Sequence, residues 1–366
     1  MHQEPINFQK PITFQEPITL LLCGDVMIGR SFDDLFDKYP DFNIWGNTLD
    51  IINSADFFGI NLETTITDSQ YKYPDKMFNF KLSPKHKNVL KDVTYANLAN
   101  NHILDYNETG LVDTITNLDS LGIKHTGAGR SIKEAEQYVI ITIKGLKIGI
   151  LSGGDHPYNF AAGIKTPGIN FVDINDQYSR NKQIENVKRL KPYVDIIIYS
   201  IHHGKNYVDL IPDNTIKFFH DLIDNGVNII HGHSAHHVLP IEKYRNHHRN
   251  HHRNHKHGWI FYSMGDFIDD YYVDKIYRND LSYLASIKII DKQIKMVHIY
   301  PVKISTSYYG IIAPQVNLLD KNDFDYEYVI NKIKNGRQIH HKNRRQSRNE
   351  IRYHKYKSKY NKLLRK

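Results

Sequence analysis

Five short apolar runs in this chain each lead into residues able to bind a metal ion, and that recurrence constrains the fold more than any other feature. They are LLLC before Gly24 and Asp25, FFGI before Asn61 and Glu63, and YANLA before Asn100, Asn101, His102 and Asp105. DIIIYSI precedes His202 and His203, and NII precedes His231, His233, His236 and His237. Between them, Leu111, Ile115, Leu118 and Leu121 recur at helical spacing and stop at Gly122, and Ile216, Phe219, Leu222 and Ile223 stop before Gly226. Alternation of β-branched runs with helical segments is the sequence form of an α/β domain, where ligands gather at the C-terminal ends of the strands. The expected strands are 18–23, 57–62, 95–99, 138–143, 147–151, 195–201, 228–231 and 258–263, with a hairpin turn at Lys144-Gly145. A second hairpin in LASIKIIDKQIKMVHIYPVKI reads as the last sheet-forming unit.

Each strand end has an ordinary explanation when read alone. An Asp after a strand commonly caps a helix, a His pair can be one core and one surface residue, and a His-rich segment can be a surface loop. The coincidence of five is more specific. Carboxylates, amides and imidazoles together form the mixed oxygen and nitrogen set that holds Mn²⁺, Zn²⁺ or Fe²⁺ in hydrolytic centres. A metal in such a set brings the pKa of bound water toward neutrality and polarises a phosphoryl or carbonyl oxygen, so hydrolysis is the natural reaction class. The single cysteine excludes both an intramolecular disulfide and thiol-ligated zinc.

The ends of the chain read differently from its body. Residues 1–17 carry an imperfect repeat, EPINFQ, KPITFQ, EPIT, whose regular prolines oppose helix and sheet, so a flexible leader is expected. Residues 18–335 form the expected domain. RNHHRNHHRNHKH, residues 245–257, repeats with period four without one apolar side chain and reads as a solvated loop inserted into a strand-to-strand connection. From residue 336 onward the chain reads as a basic tail. Its last thirty residues hold twelve Lys/Arg against the single acid Glu350, so the formal charge of +8 resides there and the body is slightly acidic. The first apolar run is too short for a signal peptide or a membrane span, so a soluble, cytoplasmic protein is expected.

The order GDVMIGR, NLETTIT, ANNHILDYNETG, GAGRSIKEA, HHG, GHSAH, YSMGDF resembles the CapA/PgsA family of poly-γ-glutamate capsule biosynthesis proteins, within the calcineurin-like metallophosphoesterase superfamily. The resemblance spans roughly residues 18–271. It implies a four-layer α/β/β/α sandwich with a metal site at one edge of two packed sheets. It nominates Asp25, Glu63, Asn101, His202, His233 and His236 as ligands of one or two divalent ions. Asp25 and His102 would be the catalytic residues, His102 as a supporting or general-acid imidazole, and Arg30, Lys205 and His203 would face an anionic substrate.

The chain departs from the family pattern at four positions. Met27 stands where other metallophosphoesterases have a His, as is usual in the CapA-like branch, which bears on a full two-metal centre. His203 replaces a Trp and Asn206 a Glu. Asp266 replaces the Asn of YSLGNF, either adding a carboxylate near the site or capping a turn. The resemblance implies an accessory or metal-dependent hydrolytic factor in biosynthesis or processing of poly-γ-glutamate or another cell-envelope polymer. A phosphoesterase with another substrate is the alternative on the same site. A binding scaffold whose tail, residues 337–366 with Tyr353, Tyr356 and Tyr360, docks on nucleic acid or an anionic polymer is the alternative of another class.

Overall fold

The computed structural model describes residues 16–246, 257–308 and 311–334. Most of the expected leader, most of the His-rich insert and the basic tail lie outside the described residues.

Two sheets organise the chain. The larger runs in the order 311–318, 293–308, 281–290, 18–26, 57–62, 95–97, 124–126, with Asp266–Ile268 pairing beside Ile18–Val26. The smaller runs 241–245, 257–261, 229–233, 196–202, 146–154, 139–143. The central strands of each sheet are parallel. Parallel strands are covered on both faces, which is why these segments read as continuous apolar runs rather than alternating ones.

Side-chain alternation along each strand sorts three apolar layers. Leu20 and Leu22 face the other sheet, where they cluster with Ile148, Ile150, Ile196 and Ile198. Leu21 and Cys23 face the opposite way, onto Phe32 of the helix Ser31–Lys38 and Leu111, Ile115 and Leu118 of the helix Asn107–Ser120. Ile197, Tyr199 and Ile201 pack under Val187 and Leu190 of Gln177–Leu190 and under Ile216, Phe219 and Leu222 of Asp213–Asn225. Helices thus pack on a face of each sheet, and an apolar cluster joins residues of both sheets. A buried hydroxyl cluster also ties the sheets, with Tyr95 Oη 2.6 Å from both Thr126 Oγ1 and Ser152 Oγ.

The mixed α/β class and the strand series agree with the sequence reading, with ends displaced by at most three residues. Lys144 and Gly145 take φ of 48° and 84°, a two-residue turn in the left-handed region, as the hairpin requires. Gly122 follows its helix at φ 74°, where an L-residue is disfavoured. Arg245 pairs with His257 in an antiparallel ladder, so the His-rich segment does leave and re-enter between two neighbouring strands.

One expectation is corrected. The 281–308 hairpin is not the last sheet-forming unit: Ile311–Leu318 adds an antiparallel strand, and the helix Phe324–Lys334 follows. The added strand contains Pro314 and lies at the end of the strand order, where a missing N–H is tolerated. The helix buries Val329 against the layer between the sheets. It is held by Asp325, whose carboxylate receives Arg278 Nη1 at 2.9 Å and Lys303 Nζ at 2.8 Å.

Asp325 gives a pH-dependent test of that attachment. Hydrogen bonding from Arg278 outweighs burial and, with Lys303, lowers its pKa to about 2. A depressed carboxylate contributes stability above its unfolded pKa and loses it as pH falls through the folded value. Asp325→Asn is expected to reduce stability by about 1–2 kcal/mol above pH 4 after allowance for solvent screening. The difference from wild type should vanish as pH approaches 2 in urea melts run at several pH values.

Candidate metal centre

All five polar strand ends meet at one edge of the two sheets, because parallel strands within each sheet finish on the same side. Asp25 is the meeting point. Its Oδ1 accepts from Asn61 Nδ2 at 2.8 Å and lies 3.2 Å from His233 Nδ1, which comes from the other sheet. Its Oδ2 lies 3.8 Å from His236 Nδ1 and accepts weakly from the Ser234 N–H at 3.4 Å. Glu63 Oε1 is 3.0 Å from His202 Nδ1, again across the sheets. The strand pairings Asp25↔Asn61 and His202↔His233 set these neighbours side by side.

Asn61 is the hub of the polar network, a role that its place beside Glu63 only hinted at. Its amide nitrogen approaches Asp25, Glu63 and His202, while its oxygen accepts from Asn97 at 2.7 Å and Asn100 at 3.2 Å. His102 is held in a dyad, Nδ1 to Asp105 Oδ2 at 2.7 Å, with the Phe80 ring stacked 4.2 Å away. Lys76 reaches the same group, touching Asp105, the Asn101 carbonyl and His102. Lys76 lies 26 residues upstream in a segment with no strand or helix pattern, and no signal in the sequence pointed to it.

The electrostatics are those of a crowded acid cluster. Burial opposes ionisation of Asp25, but the imidazoles of His233, His202 and His236 hold its pKa below the ordinary range. Burial raises Glu63 and Asp266 well above theirs, with the Asp25 charge adding to both shifts. Burial likewise lowers His202 well below a free imidazole and lowers His102 against the pull of Asp105. Without a cation, these acids do not all ionise together.

The donor set fits a divalent metal. Ligand atoms from Asp25, Glu63 and His202 lie within 4.8 Å of one another, and so do atoms from Asp25, His236 and Asp266. Glu63 Oε2 and Asn101 Oδ1 are buried and find no hydrogen-bond partner among the described residues. A buried acceptor left bare is costly unless something positive meets it.

The nominated substrate residues sit at the rim. Arg30 is half exposed and pairs with Asp270 at 3.3 Å, and Lys205 is exposed. His203 is turned away from the acids around Asp25: Nδ1 lies 2.6 Å from Asp155 Oδ2 and Nε2 lies 2.9 Å from Thr215 Oγ1. Asp155 and His156 were missed in the sequence, although GGDHP also follows an apolar strand. His156 bonds Asp155 and lies 5.3 Å, ring to ring, from His202. Two histidines outside the nominated ligand set have ordinary partners, His231 on the Cys23 carbonyl at 2.7 Å and His237 on that of Val208 at 2.9 Å. Met27 is buried, with its sulfur accepting from the Gly29 N–H at 3.2 Å.

Loops close a ring around the centre. Tyr73 packs on Phe160, Phe80 meets Tyr271, Tyr207 meets Tyr277, and Gly204 donates to Asp155. The same loops carry exposed Tyr71, Met77, Phe78, Tyr158, Ile164, Tyr272 and Ile276, with exposed Lys72, Lys165, Lys205 and Lys275 beside them in sequence.

With this architecture, the sequence matches the family model described as "Bacterial capsule synthesis protein PGA_cap" over residues 19–271, and the chain belongs to that family. It is 31% identical over 242 residues to a probable polyglutamine synthesis accessory protein of Mycobacterium tuberculosis, covering 62% of this chain and 60% of the relative. It is 28% identical over 252 residues to the PGA biosynthesis protein CapA of Bacillus subtilis, covering 68% and 62%. The chain thus spans about three fifths of the length of these relatives. Among solved structures, it is similar to an NAD nucleotidase of Haemophilus influenzae, with a TM-score of 0.45, 11% identity, and coverage of 86% of this chain and 55% of that one. A hypothetical protein from Thermus thermophilus gives a TM-score of 0.46 at 10% identity, covering 78% and 99%.

The backbone at Gly24 makes the centre's geometry testable. A Cβ there would lie 1.8 Å from the Gly265 carbonyl oxygen, so Gly24→Ala must push apart the strands that carry Asp25 and Asp266. The expected effect is a loss of about 3 kcal/mol, the upper end for overpacking, in the urea midpoint. An unchanged midpoint would contradict the close approach.

Proposed function

We propose that this chain is a metal-dependent hydrolase acting in the synthesis or processing of a polyglutamate-type or other cell-envelope polymer. The observation that carries the reading is the buried group of Asp25, Glu63 and His202, with Glu63 Oε2 and Asn101 Oδ1 left without hydrogen-bond partners. In this reading Asp25, Glu63, Asn101, His202, His233 and His236 hold the metal, Mn²⁺, Zn²⁺ or Fe²⁺. When bound, the metal supplies Lewis-acid polarisation and an activated water.

The protein's own groups supply the rest. Asp105 accepts from His102 Nδ1–H and so leaves Nε2 as the atom that exchanges a proton with a leaving group. Phe80 fixes the plane of that ring. The rim, with exposed aromatic and aliphatic side chains among lysines, suits a long anionic substrate running over the mouth, and Arg30 and Lys205 stand where its charges would pass. Family membership supports a polymer rather than a small phosphoester. The printed names of the relatives, a polyglutamine synthesis accessory protein and a PGA biosynthesis protein, point the same way.

Elemental analysis of the full chain beside Asp25→Ala and His233→Ala tests the reading. Wild type is expected to retain a transition metal that Asp25→Ala loses and His233→Ala holds at least tenfold more weakly. Hydrolysis of γ-glutamyl polymers and of bis(4-nitrophenyl) phosphate, used as a general phosphoester probe, should fall with the metal. Retention of metal and activity in both variants would sink the assignment.

A further inference from the structure

The segment between Thr65–Ile66 and Lys81–Leu82 forms neither helix nor strand, yet it turns one charged side chain inward. Asp75 takes φ 55°, and the turn leaves Asp75, Met77 and Phe78 exposed while the Lys76 side chain is only 20% exposed. Left-handed backbone at a non-glycine residue is kept only where surrounding structure enforces it. Here the enforcement comes from residues 105–107: the Tyr73 N–H donates to the Asp105 carbonyl at 2.8 Å, and Asn107 Nδ2 donates to the Tyr71 carbonyl at 2.7 Å. We propose that Lys76 is the positioning residue of His102, fixing through Asp105 which imidazole nitrogen is left to exchange a proton. This role rests on the hydrolase reading above for the chemistry at Nε2.

The two oxygens of Asp105, a buried residue, serve different partners. Oδ2 accepts from the Phe80 N–H at 2.6 Å and from His102 Nδ1 at 2.7 Å. Oδ1 receives the Lys76 ammonium, and among the described residues no other lysine or arginine forms an ion pair with Asp105. A buried carboxylate oxygen that loses such a partner is in an unfavourable state. Without Lys76 the carboxyl group is free to turn or to take up a proton. A protonated Asp105 donates to Nδ1 instead of accepting from it, which moves the imidazole proton to Nε2. Lys76 thus selects the tautomer by keeping Asp105 an acceptor.

The same ammonium donates to the Asn101 carbonyl and stands 3.3 Å from His102 Nδ1, so it braces the turn that carries His102 at both ends. The ring of Phe160 lies 5.4 Å from it on another side. Its neighbours are therefore groups of the protein, which separates Lys76 from the rim residues Arg30 and Lys205: it acts through His102 and does not meet the substrate. Phe80 stacks on the imidazole at 4.2 Å and sets the plane of the ring. Stacking leaves rotation within that plane open, and the bond from Nδ1 to a fixed Asp105 closes it.

Two readouts on the full chain test this, for wild type, Lys76→Met and Lys76→Cys. The first is ¹⁵N NMR of the histidine side chains in the presence of diamagnetic Zn²⁺, with the His102 signals assigned by their loss in His102→Gln. Wild type should show one His102 tautomer with the proton on Nδ1, and both Lys76 variants a mixture. The second is hydrolysis, at metal saturation, of bis(4-nitrophenyl) phosphate, whose leaving group departs as a stable anion, and of diphenyl phosphate, whose leaving group gains more from protonation. The variants should slow the second substrate about thirtyfold more than the first, in kcat rather than KM. Treating Lys76→Cys with 2-bromoethylamine rebuilds an ammonium of similar reach, and the natural Cys23 is buried, so both readouts should recover. If Lys76→Met does not fold, Lys76→Cys before and after that treatment decides. An unchanged His102 tautomer in a folded variant would overturn the proposal, as would equal slowing of both phosphates with no recovery on treatment. If wild type hydrolyses neither phosphate, the tautomer alone decides the role of Lys76. Failure to hydrolyse γ-glutamyl polymers as well would sink the hydrolase reading without altering that result.

Discussion

The molecule is organised around buried acids that cannot all be charged at once. Asp25, Glu63 and Asp266 lie at the edge where two sheets meet, faced by His202, His233 and His236. Transfer of carboxylates from water into such a site is unfavourable unless positive charge or hydrogen-bond donors meet them. The amide of Asn61 and the imidazoles meet part of that demand. The rest, seen at Glu63 Oε2 and Asn101 Oδ1, is where a divalent cation fits. Much of the fold serves to keep these groups together despite their mutual repulsion.

The apolar layers supply the driving force. Each of the strands that carry Asp25, Asn61, His202 and His233 is buried over several residues before its polar end. The strand is thereby anchored, and its last residues have little freedom to retreat from an unfavourable electrostatic position. Glycine is used where backbones must nearly touch: Gly24 against Gly265, and Gly232 against Phe261 and Tyr262. At both places a side chain would separate the strands whose ends carry ligands.

Around this rigid floor the chain places loops that pack on one another through Tyr73, Phe80, Tyr207 and their partners. A metal centre depends on a fixed first set of ligands and on neighbours that orient them. Here the dyads His102–Asp105 and His156–Asp155 belong to the loops rather than to the sheets. The groups proposed for proton exchange and substrate contact thus lie on loops, whereas Asp25, His202 and His233 of the proposed ligand set lie on strands.

How legible this was in the sequence depended on the kind of residue. Apolar runs with polar ends, glycine stops after helices and the Lys144-Gly145 turn are local signals, and they located the strands, two helices and the residues Asp25, Glu63, Asn101, His102, His202, His233 and His236. The strand with Pro314 and the helix Phe324–Lys334 escaped, because an outer strand tolerates proline and the helix buries little beyond Val329. Lys76 and Asp155 escaped because their significance lies in what they touch across the sequence. The sequence by itself determined that metal-competent groups end buried strands, since burial demands apolar runs and each polar end is written next to its run. Only the tertiary structure decided that Asp266 stands beside Asp25, that Asn61 links Asp25, Glu63 and His202, and that His203 turns away from them. Those relations depend on strand register and on packing between sheets, which bring together residues as much as 241 positions apart.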